Sequence, residues 1–76
     1  MSLPDAKEMN YWSAYDSLKK EIQLSYEFEI EEGDDAYEIS DALMKDMPAF
    51  YSVLVRRLGG KDEVIGAIDN ILGEIR

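Results

Sequence analysis

Seven carboxylates lie between residues 27 and 38, in EFEIEEGDDAYE: Glu27, Glu29, Glu31, Glu32, Asp34, Asp35 and Glu38. Carboxylate oxygens are the ligands that hard cations such as calcium take, so metal binding is the first chemistry to weigh. A calcium loop of the EF-hand type needs ligands at alternate positions and a glutamate six residues after its glycine. Neither follows Gly33. A second chemistry is mimicry of a phosphate backbone, with carboxylates along a rod filling the basic groove of a nucleic-acid-binding protein. The plainest reading is a solvated face running into the acid-rich start of a helix, where carboxylates favour the positive end of the dipole.

Catalysis has few tools in this chain. There is no histidine and no cysteine, which removes the commonest general base, the thiolate nucleophile and the usual zinc ligands. Paired carboxylates remain, but a 76-residue chain of short helices leaves little room for a substrate cleft. The expectation is a non-enzymatic protein with no cofactor and no metal.

Two short motifs resemble known ones. RRLGGKDEVIGAI, residues 56 to 68, has a glycine turn leading into a helix, a place where free amides cradle phosphates, and it distantly resembles a helix-hairpin-helix. It lacks the Gly-hydrophobic-Gly of that motif, and Asp62 and Glu63 put anions where a phosphate would sit, so a plain helix stop is expected. DSL at Asp16 to Leu18, followed by EFEIEEGDDAYEI, is similar to acyl carrier proteins, about a third of the chain being covered. That resemblance implies a phosphopantetheine arm on Ser17. Carrier proteins place a complete helix and a long loop before that serine, whereas Ser17 falls inside the first helix expected here.

The elements that must position these residues read as helices. The first is expected from PDAKEMNYWSAYDSLKKEI, with Pro4 in the first turn, Ser2 and Asp5 at capping-box spacing, and Tyr11, Tyr15, Leu18 and Ile22 on one face with Trp12 at its edge. Lys19 and Lys20 suit the C-terminal end of such a helix. A second is expected after Asp35, whose partner three residues on is Glu38, with Ala36, Ile39, Leu43 and Met47 as its apolar face. Pro48 opens a third, with Phe50, Tyr51, Leu54 and Leu58 inward, which Gly59-Gly60 stops. The fourth, in KDEVIGAIDNILGEIR with Asp62 or Lys61 preceding it, has Val64, Ile65, Ile68, Leu72 and Ile75 in one stripe. Its Gly66 and Gly73 lie on the opposite side, as a weak solvent face or as a second packing surface.

LSYEFEIEE, residues 24 to 32, supports two readings. Leu24, Tyr26, Phe28 and Ile30 alternate with polar residues as a half-buried strand does, while Leu18, Ile22, Tyr26 and Ile30 step by four as a helix stripe does. A strand at about 24–31 would need a partner, and nothing else in the chain reads as one, so it implies pairing across a dimer and an α+β fold. The continuous helix from residue 5 to about 32 is favoured. It leaves Leu24 and Phe28 as an apolar patch on its back, and such a patch also wants a partner.

The expected protein is therefore one all-α domain spanning residues 1–76, a long first helix followed by three short ones, with Met1 to Leu3 read as expression-derived. The net charge is −9, and residues 1–38 hold eleven acids against three lysines. That field repels phosphate backbones and anionic surfaces, so neither direct nucleic-acid binding nor a membrane partner is expected, and the expected address is the cytoplasm. The favoured function is an acidic protein-interaction, regulatory or accessory protein that forms a homodimer. Its expected contact surface is Trp12, Leu24, Phe28 and Tyr51, oriented by Glu27, Glu29 and Glu31. The rival functions are the nucleic-acid mimic and the carrier modified on Ser17.

Overall fold

A computed structural model of the chain describes residues 6–33 and 35–75. Five helices follow in order: α1 (Ala6–Ser25), α2 (Glu27–Glu32), α3 (Ala36–Asp46), α4 (Pro48–Leu58) and α5 (Lys61–Ile75). No strand occurs among the described residues. The expected cap built from Ser2, Pro4 and Asp5 lies outside them.

The long first helix is interrupted at Tyr26, and the reason is geometric. Each step of four residues advances about 40° around an α-helix, so Leu18, Ile22, Tyr26 and Ile30 form a stripe that drifts off the core. At Tyr26 the backbone turns to φ −125°, ψ 24°. The ring is buried there, and Ile30 of the re-aimed α2 is brought back against the core. The break is shallow in hydrogen-bond terms: Tyr26 N–H still donates to the Ile22 carbonyl at 3.0 Å, and Ile30 N–H to the Tyr26 carbonyl at 3.1 Å. The two-residue alternation thus belongs to helical turns that place Leu24 and Phe28 outward, not to a strand. Gly33 ends α2 with φ 83°, a left-handed conformation in which its N–H reaches the Glu29 and Ile30 carbonyls.

Since α1 runs on to Ser25, Lys19 and Lys20 sit within it and do not form its last turn. Their charges find other partners. Lys20 pairs with Asp16 one turn back at 3.6 Å, and Lys19 reaches across to Glu74 of α5 at 3.2 Å.

The later helices start and stop by local chemistry. Asp35 is extended, and its Oδ1 accepts from the Glu38 N–H at 3.0 Å, fixing the start of α3. Met47 closes α3, with its N–H donating to the Leu43 carbonyl at 2.8 Å, and it also precedes Pro48, the first residue of α4. Gly59, at φ 108°, caps α4 after Arg56 and Arg57 in its last turn, and α5 opens with Asp62 and Glu63 in its first. The glycine pair of RRLGG is thus a helix stop.

One core joins these pieces. Ala14, Leu18, Ile22 and Tyr26 meet Ala36, Ile39 and Leu43, Tyr51, Leu54 and Leu58, and Val64, Ala67, Ile68, Ile71 and Leu72. Helix α1 packs chiefly on α4, and α3 lies against both α5 and α4. Ala14, Ala67 and Ile71 complete the stripes seen in sequence. Ile65 and Ile75 lie at the edge of the core, only partly buried.

Candidate protein-interaction surface

The expected contact residues separate into three groups. Leu24 and Phe28 are 81% and 69% exposed, four residues apart on the outer side of the α1–α2 break. They point away because the same turns commit Ile22, Tyr26 and Ile30 to the core. Glu27 and Glu31 are exposed around them and Glu29 is half-buried. Together these residues form an apolar centre with an acidic border. Among the described residues, no three carboxylates converge to hold a cation.

Trp12, 61% exposed, belongs to a different surface. It lies about a third of a turn from Leu24 around the axis of α1, given 100° per residue. Its ring meets those of Tyr11 and Tyr15 edge-on, with centroids 5.2 and 5.5 Å away, and the two tyrosines stack at 6.5 Å. This cluster and Asn70, Gly73 and Glu74 of α5 line an open groove of about 350 Å³. Partial burial, and next the nearby Glu74 carboxylate, push the Tyr15 phenol above its ordinary value.

Tyr51 is not on a surface at all. Only 7% of it is exposed, and its oxygen accepts a bond from the Ser40 hydroxyl at 3.4 Å inside the core. The expectation of a contact role there fails because the face shared with Leu54 and Leu58 turns wholly inward. Ser40, itself buried, has no signal in the sequence, because a lone serine between Ile39 and Leu43 carries no pattern. Ser17 is exposed in the middle of α1.

Two further open grooves line the described surface. One, of about 480 Å³, runs between Gln23, Glu27, Ile30, Glu31 and Ile75. The other, of about 450 Å³, lies between the start of α3, with Tyr37, and the outer side of α5, with Gly66. Gly66 and Gly73 are exposed, and a β-carbon added at either would meet no atom within 4 Å, so neither glycine serves a close contact within the chain. No helix among the described residues is long and apolar enough to cross a membrane. No protein-family model, curated protein or solved structure matches this chain.

Proposed function

We propose that this chain is a non-enzymatic, acidic protein-interaction module, cytoplasmic in location, that self-associates through the outer side of the α1–α2 break. The observation that carries the reading is the exposure of Leu24 and Phe28 beside a core that is already closed. Two large apolar side chains one turn apart lose contact with water when a second copy covers them, at roughly 25 cal/mol per Å². A two-fold axis through the patch would set Leu24 of one copy near Phe28 of the other, the self-complementary arrangement of a cyclic dimer. The surrounding glutamates oppose one another across such a contact, and their part is to select against wrong partners. An interaction role also agrees with the lack of imidazole and thiol and with grooves that are open, not enclosed.

Light scattering at micromolar concentration tests this. The expected mass is twice the chain's 8.7 kDa. The double variant Leu24→Glu/Phe28→Glu sets like charges against each other across that axis, beside Glu27 and Glu31. It is expected at the mass of one chain with unchanged helicity. A wild-type monomer, or a dimer indifferent to the double variant, refutes self-association through this patch.

A further inference from the structure

We infer that the groove between α1 and α5 receives an arginine side chain of a partner protein, its guanidinium lying on the Trp12 and Tyr15 rings and directed to Glu74. The inference rests on the interaction reading above but concerns a separate surface. Three features converge on it. The groove is lined by the aromatic residues Tyr11, Trp12 and Tyr15, and a cation over an indole or phenol ring is attracted by its quadrupole. It ends on a carboxylate, Glu74, whose side chain is half exposed even while it pairs with Lys19 at 3.2 Å and accepts a hydrogen bond from the Tyr15 hydroxyl. And it is an open slot, not a closed cage, which suits a planar guanidinium that stacks and makes forked hydrogen bonds better than a compact ammonium.

Charge complementarity names the occupant. A chain of net charge −9 draws basic segments and repels acidic ones, so the groove's aromatic rings will meet cationic side chains first. Gly73 keeps the slot open. A β-carbon there would meet nothing within 4 Å, so a larger side chain at 73 would occupy the groove without disturbing the helix.

The chain's single tryptophan is the reporter. Trp12 fluorescence is titrated with an Arg-Gly-Arg-Gly-Arg peptide, with its citrulline counterpart, and with the lysine analogue. Saturable binding of the arginine peptide is expected, weakened about two- to fivefold by citrulline, as loss of an exposed cation–ring contact would give. The lysine analogue is expected to bind less tightly than arginine. Gly73→Leu is expected to abolish the response while helicity and Tm are equal or higher, and Glu74→Gln to weaken it. Equal affinity for citrulline, equal affinity for lysine, or a response untouched by Gly73→Leu would overturn the assignment. The titration is repeated on Leu24→Glu/Phe28→Glu, where binding is expected to persist. A failed titration with an intact dimer removes the groove alone, and a bound peptide on a wild-type monomer removes self-association alone.

Discussion

At Tyr26 the backbone leaves helical geometry and the ring enters the core, so the titration of this phenol reports on the break between α1 and α2. Its hydroxyl donates to Asp46 Oδ2 at 3.4 Å, at the end of α3. Burial first, and the Asp46 charge second, push its pKa up to about 12 from an ordinary 10.0. The unfolded chain would therefore release this proton from about pH 10, while the folded chain holds it until about pH 12. Stability from this group is complete below pH 10 and is lost as pH rises through that window. In Tyr26→Phe the fall in urea-unfolding free energy between pH 9 and 11.5 should be shallower than in wild type, since a two-unit difference is roughly 2 to 3 kcal/mol. At pH 7 the variant should cost less than about 1 kcal/mol, because a 3.4 Å bond is weak. Equal alkaline slopes in the two proteins would mean that the phenol is not held in this environment.

Among the elements, α3 and α5 make opposite statements about local sequence. Helix α3 depends on its cap, and Asp35→Ala should cost about 1 kcal/mol in denaturant unfolding, with Tm lower by several degrees. Helix α5 carries two glycines that meet nothing, so Gly66→Ala should stabilise by up to about 1 kcal/mol without altering the fold. A destabilised Gly66→Ala would show that the glycine is needed. The caps, the Pro48 start and the Gly59 stop are legible in sequence because each rests on chemistry within four residues. The course of the first helix is legible only in part. Alternation and four-residue stepping coexist in LSYEFEIEE, and the choice between them depends on whether Tyr26 finds a place in the core with its hydroxyl on Asp46, which no local pattern records. The outward patch of Leu24 and Phe28 follows from the same periodicity and is where the helix reading puts it. Tyr51 is ambiguous because a tyrosine on an apolar face reads equally well as core edge or as contact, and the structure makes it core. The Trp12 groove is invisible in sequence because half of its lining comes from α5, some sixty residues away along the chain.

For the whole molecule, charge and apolar surface pull in opposite directions, which gives self-association a signature in salt. Two copies meeting at Leu24 and Phe28 bring Glu27 and Glu31 of each toward those of the other. Screening that repulsion should tighten the dimer as sodium chloride is raised from 20 to about 300 mM, the reverse of the behaviour of any basic peptide on the same chain. Sedimentation equilibrium across that range reads the effect, and a dimer that weakens with salt would indicate charge pairing at the contact instead. The most direct measurement is amide hydrogen exchange at two protein concentrations, one well below and one well above dimer formation. Extra protection confined to residues from about 23 to 32 at the higher concentration is the predicted result. Exchange that is independent of concentration, or protection that rises along α3 and α4 instead, would contradict the account.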